Sequence, residues 1–185
     1  MTIQHHEGAA EVPVTLAPHD DVGPVTHDPV TGLPDASALR ARIEQTLDGR
    51  GGAASALLAV DCGGLAEQVR SLGPETAARL RRELARRLEQ HAGPPDFAAQ
   101  AGGDRFVLWL ARLEDPACAE RVAGALVHDL TRPVRLEARD VRTHAAIGVA
   151  VAPNHGRDAM SLLTRADAAL REAQDLGGDT YLLAR

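Results

Sequence analysis

The stretch Ala101-Gly102-Gly103-Asp104-Arg105-Phe106-Val107-Leu108-Trp109-Leu110 combines a tight turn with an apolar run. Its two adjacent glycines permit a backbone with positive φ and a close approach by another group. The unbroken apolar run that follows predicts a strand buried on both faces. A Gly-Gly-acid turn between strands is a common place to hold a metal ion or a phosphate. Arg105 fits that task poorly, because a guanidinium carries a permanent positive charge.

The composition excludes several classes of protein. The 185 residues are 44% hydrophobic and 25% charged, which is enough for one domain with a proper core. The net charge of -6 argues against a general binder of nucleic acid or of anionic membranes, and 2% aromatic content argues against base stacking. Two cysteines, Cys62 and Cys118, lack metal-site spacing, and the chain has no signal-peptide core. We therefore expect a cytoplasmic protein without nucleic-acid or membrane partners.

Helices and strands are expected to alternate after an irregular start. Residues 1–26 show no helical or strand period and are predicted to be a disordered tail, in which His5-His6-Glu7 is a candidate chelator or simply solvated. Residues 27–185 are predicted to form the domain. Helices are expected after Asp35, Pro74, Asp115-Pro116 and Asp158, and another near Leu65. Strands are expected over residues 56–60, 96–100, 106–110, 134–138, 145–152 and 181–183.

A second candidate site lies where the strand over residues 56–60 ends. Asp61 follows this strand directly, and a carboxylate at the end of a central strand is placed to bind a ligand. Cys62-Gly63-Gly64 then leads into a helical stretch, where exposed N–H groups suit phosphate oxygens. The glycines have a purely geometric interpretation as well, because a strand-to-helix turn needs them.

The helix after Pro74 is predicted to carry many arginines on its polar faces. The set is open to two interpretations. It could contact an acidic partner or nucleic acid, or it could be a solvated face balanced by Glu75, Glu83 and Glu89. Its members are Arg79, Arg81, Arg82, Arg86 and Arg87.

Four stretches resemble the motifs of the GGDEF family, the diguanylate cyclase domains that condense two GTP molecules into cyclic di-GMP. The resemblance implies an α/β (α+β) fold with a central, mostly antiparallel five-stranded sheet flanked by helices. The matching stretches are Asp28–Pro34 for the entry motif, Val60-Asp61 for the first metal-binding strand end, Ala101–Phe106 for the signature turn, and Ile147–Ala150 with Ala166–Leu170 for the closing segments.

In that family the strand-end Asp and the third signature residue hold two divalent cations, which implies the same role for Asp61 and Asp104. The signature turn here is Gly102, Gly103, Asp104, Arg105 and Phe106, with arginine where the family has glutamate. A guanidinium cannot ligate a cation or accept a proton at neutral pH. We expect Arg105 to pair with Asp104 and to repel Mg²⁺. Loss of a general base typically costs ~10²–10⁴-fold in rate.

The resemblance also implies nucleotide-binding groups that this sequence lacks. The family's phosphate-binding and guanine-reading side chains fall on Ala66, Val69, Ala78, Gln174 and Gly178. The product-inhibition motif R-x-x-D keeps only Asp96, because Gly93 stands in place of the arginine that grips phosphate. These departures argue against GTP binding and against cyclic di-GMP binding at the family's inhibitory site.

Three hypotheses about function follow from the sequence. The first is a catalytically inactive GGDEF-like module without a cofactor, acting through a protein partner or a homodimer. Its tail is too short for a sensor domain, so control is expected in trans. The second is a Mg-dependent nucleotide binder or weak diguanylate cyclase of altered specificity, using Asp61, Asp104 and the Cys62-Gly63-Gly64 turn. The third is a cyclic di-GMP receptor that uses a non-family surface, such as the arginine-bearing helix Glu75–Gln90.

Overall fold

The computed structural model describes residues 26–49, 53–65, 70–71, 73–136 and 139–185. The helices are α1 (Ala36–Gly49), α2 (Pro74–Glu89), α3 (Ala117–Thr131) and α4 (Ala159–Asp175). The strands are β1 (Ala54–Gly63), β2 (Phe97–Gly102), β3 (Arg105–Leu113), β4 (Val134–Leu136), β5 (Arg139–Val141), β6 (His144–Ala152) and β7 (Thr180–Leu183). The tail predicted for residues 1–26 lies outside the described residues except for Thr26, and so does most of the helical stretch expected after Leu65.

Five strands form a central sheet in the order β2-β3-β1-β6-β7. The predicted five-stranded, mostly antiparallel sheet is confirmed: β2, β3, β1 and β6 pair antiparallel, while β7 runs parallel to β6 and makes the sheet mixed. The strand expected over residues 134–138 is described only as β4, which pairs with β5 in a separate two-stranded ladder. The sequence did not predict β5, since three residues give too little pattern to detect.

Alternation of side chains along the strands divides the core into two layers. Leu58, Val60, Phe106 and Leu108 pack on the side covered by α2 and α3. Their chain neighbours Leu57, Ala59, Val107 and Trp109 pack on the side covered by α1 and α4. Successive residues of a strand point to opposite faces. Neighbouring residues of β1 and β3 therefore contact different pairs of helices. We refer to these as the α2/α3 face and the α1/α4 face.

Helix starts and one close approach fix the layer on the α1/α4 face. Asp35 Oδ1 accepts the N–H of Ser37 at 2.9 Å, and Asp158 Oδ1 accepts the N–H of Ser161 at 2.8 Å, so both predicted caps are confirmed. Helix α4 lies so close to β6 that a Cβ on Gly148 would approach the carbonyl oxygen of Ala166 to 2.0 Å. Glycine is therefore required there to let α4 reach the sheet. Within the described part of the chain, no helix is long and apolar enough to cross a membrane.

Candidate functional site

The two sequence-predicted site segments meet at one end of the strands of the central sheet. Asp61, near the end of β1, is the register partner of Arg105, the first residue of β3. On its other side Asp61 lies opposite Ala146 of β6. The end of β1 and the turn between β2 and β3 are therefore neighbours, as the order of strands in the sheet requires.

The turn between β2 and β3 has the backbone that its glycines predict. Gly102 and Gly103 have φ values of 102° and 59°, a region that side chains disfavour. The Gln100 side chain donates from Nε2 to the carbonyl of Gly103 at 2.9 Å and braces the turn from β2. Phe106 follows the turn and is completely buried on the α2/α3 face, which anchors the start of β3. The turn is thus held by packing and by a side-chain hydrogen bond.

Asp104, the acid of the turn, is paired with an arginine from α2. Arg81 Nη2 donates to Asp104 Oδ1 at 2.9 Å, and the two side chains are 27% and 25% exposed. The sequence placed Arg81 among the polar-face arginines of this helix without assigning it a partner. A half-buried, charge-assisted hydrogen bond of this length fixes the carboxylate and neutralises it.

Arg105 does not pair with Asp104, and the expectation that it would is wrong. Its Nη1 donates to Asp167 Oδ1 on α4 at 3.0 Å. The physical reason is the alternation of side chains along β3: the residue after Asp104 points to the α1/α4 face, where α4 supplies the acid. Within the residues that the structure describes, the Asp61 carboxylate makes no hydrogen bond or ion pair.

A cleft of about 240 Å³ lies beside Asp61, between the end of β1, the start of β6 and the end of α4. Four sequence-derived positions besides Asp61 line it: Gly63 and Gly64 of the predicted phosphate turn, and Gln174 and Gly178, which the resemblance aligned with phosphate-gripping residues. Its described lining contains no lysine or arginine. The lining residues are Asp61, Gly63, Gly64, His144, Ala146, Gln174, Gly177 and Gly178.

Sequence reasoning missed two polar residues at this cleft. His144 lines it, and its Nδ1 lies 3.0 Å from Asp179 Oδ2. Burial raises the pKa of Asp179, but hydrogen bonds from the Ala145 N–H and from His144 outweigh that effect and bring the pKa below its usual value. A signal was present: Gly177-Gly178-Asp179 repeats the Gly-Gly-Asp order of the turn at Asp104.

Cys62 does not face the cleft. Its side chain is fully buried on the α2/α3 face, where burial, with smaller effects from Asp61 and Asp104, raises the pKa of the thiol. Its N–H, which was a candidate phosphate donor, donates to the carbonyl of Asp104 at 3.4 Å. Gly63 and Gly64 are therefore the members of the predicted phosphate turn that line the cleft.

Asp96, the remnant of the inhibitory motif, is bound within the hairpin. Its Oδ1 accepts the N–H of Ala111 at 2.7 Å, and its own N–H donates to the carbonyl of Gly93. Burial raises the pKa of Asp96, against the opposing effect of the hydrogen bond from Ala111. The carboxylate thus ties the segment before β2 to β3. Of the other positions taken from the resemblance, Ala78 lies on α2, while Ala66 and Val69 are outside the described residues.

Asp61 and Asp104, the two carboxylates that the resemblance aligned with cation binding, differ in their partners. Asp104 is already engaged by the Arg81 guanidinium, whereas the Asp61 carboxylate has no such partner among the described residues. In the described ranges, no group of three or more His, Cys, Asp or Glu side chains is arranged to hold a metal ion. A magnesium site generally needs several oxygen ligands in near-octahedral geometry.

Comparison with known proteins identifies relatives of this chain. The family model described as "Diguanylate cyclase, GGDEF domain" matches residues 25–180. The bifunctional diguanylate cyclase/cyclic di-GMP phosphodiesterase MucR of Pseudomonas aeruginosa is 33% identical over 157 residues, which are 84% of this chain and 23% of MucR. The chain spans between about a fifth and a third of the length of several such curated relatives.

Two solved structures extend the comparison. The isolated GGDEF domain of TpbB from Pseudomonas aeruginosa superposes with a TM-score of 0.82 at 28% identity, covering 86% of this chain and 95% of that one. The diguanylate cyclase SiaD of the same organism, solved in complex with its activator SiaC, gives a TM-score of 0.76 at 26% identity, covering 85% of this chain and 61% of SiaD.

Proposed function

The chain belongs to the GGDEF family of diguanylate cyclase domains, and from that premise we propose that it is a degenerate, non-catalytic member. It acts as a bacterial regulatory module in cyclic di-GMP-related signalling, and its output is contact with a protein partner or a second copy of itself. It needs no metal cofactor for this role.

The observation that carries the proposal is the neutralisation of both charged residues of the signature turn by partners from the same chain. Asp104 is held by Arg81 at 2.9 Å, and Arg105 is held by Asp167 at 3.0 Å. A carboxylate in a charge-assisted pair with arginine is a poor ligand for Mg²⁺, because the guanidinium must first be displaced. Arg105 cannot replace the missing acid as a base, since it stays protonated at any physiological pH.

The cleft beside Asp61 supports the same conclusion through its charge. A nucleoside triphosphate carries several negative charges, and binding sites usually meet them with lysine, arginine or a metal ion. The described lining offers a carboxylate, a histidine and backbone N–H groups, but no permanent cation. Among the described lining residues, no permanent cation would offset the repulsion between Asp61 and phosphate groups placed there.

The protein-contact part of the proposal draws on the relatives. SiaD, which is 26% identical to this chain, was solved in complex with its activator SiaC, so one protein with this fold does associate with a protein regulator. The present chain shares the fold of that protein, with a TM-score of 0.76. We extend this mode of action to the present chain.

A second candidate function is supported by the shape of the cleft. Asp61, Gly63 and Gly64 share one cleft of about 240 Å³ with Gln174 and Gly178, which is the arrangement that a nucleotide-binding domain of altered specificity would need. In that case Mg²⁺ would have to be held at Asp61 by ligands that include the nucleotide itself. Binding of GTP or ATP without cyclic dinucleotide formation would favour this candidate.

The experiment is an assay of the purified chain with GTP and either Mg²⁺ or Mn²⁺, followed by separation of nucleotides, with the full-length diguanylate cyclase TpbB as positive control. We expect no cyclic di-GMP. Calorimetric titration with GTP and ATP is expected to give no binding heat. Formation of cyclic di-GMP above the no-enzyme background would overturn the proposal, and nucleotide binding alone would transfer support to the second candidate.

A further inference from the structure

A large groove lies away from the candidate site, between α2 and the β4–β5 hairpin. Its volume is about 510 Å³, and its walls come from one side of α2 and from β4. Five of its eight described lining residues are arginines, in a chain whose net charge is -6. The lining residues are Arg79, Arg82, Glu83, Arg86, Arg87, Val134, Arg135 and Leu136.

One wall of the groove is fixed by Arg87. Its Nη1 donates to the carbonyls of Asp129 and Arg132, each at 2.7 Å, and its Nη2 donates to that of Pro133 at 3.2 Å. These bonds tie α2 to the end of α3 and to the start of β4. Because Arg87 is only 12% exposed, it serves as a structural link, and the ligand-facing cations are the others.

The remaining arginines are placed at the solvent side. Arg82 is exposed and, in the part of the chain that the structure describes, makes no ion pair. Arg135 meets Asp140 across the hairpin at 3.1 Å, but both side chains are more than half exposed. Exposed pairs of this kind contribute little and exchange readily for other anions. The groove therefore presents several guanidinium groups that an anionic ligand can reach.

Among its described lining residues, the groove offers hydrogen-bond donors but almost no free side-chain acceptor. The one carboxylate in that described lining, Glu83, already accepts three bonds, two from Arg86 and one from Arg87. Arginine can donate to O6 and N7 of a guanine base, but the N–H donors at the Watson–Crick edge would find no free side-chain acceptor in the described lining. Val134 and Leu136 add an aliphatic floor. Carboxylates together with an aliphatic side chain match both features.

We propose that this groove docks an acidic segment of a partner protein, with its carboxylates on Arg82, Arg86 and Arg135 and an apolar side chain against Val134 and Leu136. Guanidinium groups bind carboxylates bidentately, so several of them along one groove favour a segment with closely spaced Asp or Glu. The inference rests on the proposed function, since it names the surface and the partner chemistry through which the module would act.

The test uses the full chain and a fluorescein-labelled peptide of Glu-Glu-Leu repeats, with a Gln-Gln-Leu peptide of equal length as control, measured by fluorescence anisotropy. The variant is R82E/R135E. The matched control is R112E/R171E, which changes the net charge equally at exposed arginines outside the groove. We expect the groove variant to weaken binding at least about tenfold and the control variant to change it less than about twofold.

Several results would overturn the docking inference. Equal weakening by the two double variants would show general charge attraction. Binding of the Gln-Gln-Leu peptide with equal affinity, or absence of binding by the acidic peptide, would show that the groove does not bind an acidic segment. Displacement of the peptide by cyclic di-GMP or pyrophosphate at lower concentration would assign the groove to a phosphate ligand. Salt-dependent dimerisation that R82E/R135E abolishes would make a second copy of this chain the occupant.

The two assays distinguish failure of the docking inference from failure of the proposed non-catalytic function. If the chain makes cyclic di-GMP, the non-catalytic role is wrong whatever the peptide does. If the chain makes no cyclic di-GMP, binds no nucleotide and does not bind the acidic peptide, the docking inference is wrong while the non-catalytic role stands. The two assays use different sites, because none of the groove residues lines the Asp61 cleft.

Discussion

Asp104 and Arg105 are consecutive residues of one turn, yet they belong to different regions of the molecule. Asp104 meets Arg81 of α2 on the α2/α3 face, and Arg105 meets Asp167 of α4 on the α1/α4 face. In the first pair the turn supplies the carboxylate and the helix supplies the guanidinium, while in the second pair the turn supplies the guanidinium and the helix the carboxylate. The comparison teaches that a site turn can be neutralised from both faces of the sheet at once.

The two pairs also differ in exposure, which sets their energetic weight. Asp104 and Arg81 are each about a quarter exposed, whereas Arg105 and Asp167 are 37% and 36% exposed. Solvent screens the second pair more strongly, so we expect it to contribute less to stability. A single change on one face should leave the pair on the other face intact, and the following predictions use that independence.

The largest effect is expected from Gly148→Ala on the α1/α4 face. The added Cβ would lie 2.0 Å from the carbonyl oxygen of Ala166 and 2.3 Å from the nitrogen of Leu170, both backbone atoms that cannot turn away. Helix α4 must move outward and carry Asp167 away from Arg105. We expect a loss of at least about 3 kcal/mol in the free energy of unfolding, measured by urea denaturation.

Trp109 reports on this change, because it is the only tryptophan and is buried on the α1/α4 face. Its emission should shift to longer wavelength in the folded state of Gly148→Ala. Gly124→Ala on α3 is the matched control: its Cβ would meet Tyr181 at 3.5 Å, an ordinary contact, and alanine should stabilise the helix by up to about 1 kcal/mol. Unchanged stability of Gly148→Ala would mean that α4 is not held against β6 as described.

On the α2/α3 face, Arg81→Ala should cost about 1–2 kcal/mol in the free energy of unfolding. It leaves the Asp104 carboxylate partly buried and without its cation. The loss is moderated because Arg81 Nε is itself buried without a partner among the described residues, so its removal relieves some desolvation. Urea denaturation at pH 7 measures the difference.

Arg82→Ala is the control for that variant, since it makes the same substitution one residue further along α2 at an exposed position. We expect it to change stability by no more than about 0.5 kcal/mol. Equal losses in the two variants would show that the Arg81–Asp104 pair is not the cause. Titration with Mn²⁺ adds a second readout, because only the Arg81 variant frees the Asp104 carboxylate.

A smaller effect is expected from Arg105→Glu, which restores the family's acid at that position. The new carboxylate would face Asp167 and would lie opposite Asp61 in the β1–β3 register. Like charges at these distances should cost about 1 kcal/mol or less in an exposed setting. We also expect no cyclic di-GMP formation, because Arg81 still holds Asp104.

The swap R105E/D167R tests whether the cost comes from charge. It should recover most of the stability lost by Arg105→Glu, since the pair is rebuilt with its signs exchanged. Recovery of cyclase activity by Arg105→Glu alone would contradict the view that both faces must be released before the turn can bind a metal.

Local patterns sufficed for most helices and strands, but not for the partners of the turn. The caps at Asp35 and Asp158 and the positive φ values of the glycines follow from residue type and short-range geometry. Arg81 looked like one of several polar-face arginines, because its contact with Asp104 depends on how α2 packs on the sheet. Arg105 was assigned to Asp104 by adjacency, although alternation along a strand separates neighbours. Identifying Asp167 required knowing which helix covers each face.

The smallest effect concerns Glu83, which holds Arg86 and Arg87 on α2 and thus supports the helix that neutralises Asp104. Hydrogen bonds from Arg86 first, and then from Arg87, lower the pKa of Glu83 from 4.5 to about 2, although burial opposes them. A carboxylate whose pKa is lower in the folded state stabilises the fold above its unfolded pKa. That contribution is lost as the pH falls from about 4.5 toward 2.

Wild type and Glu83→Gln should therefore differ by at most about 1 kcal/mol in unfolding free energy at pH 6, with the variant less stable. The difference should shrink steadily below pH 4.5 and nearly vanish close to pH 2, and it should be smaller at high salt. Urea denaturation of both proteins across this range isolates the effect, because the other carboxylates titrate in both. A difference that stays constant down to pH 2.5 would mean that Glu83 stabilises α2 through packing and not through its charge.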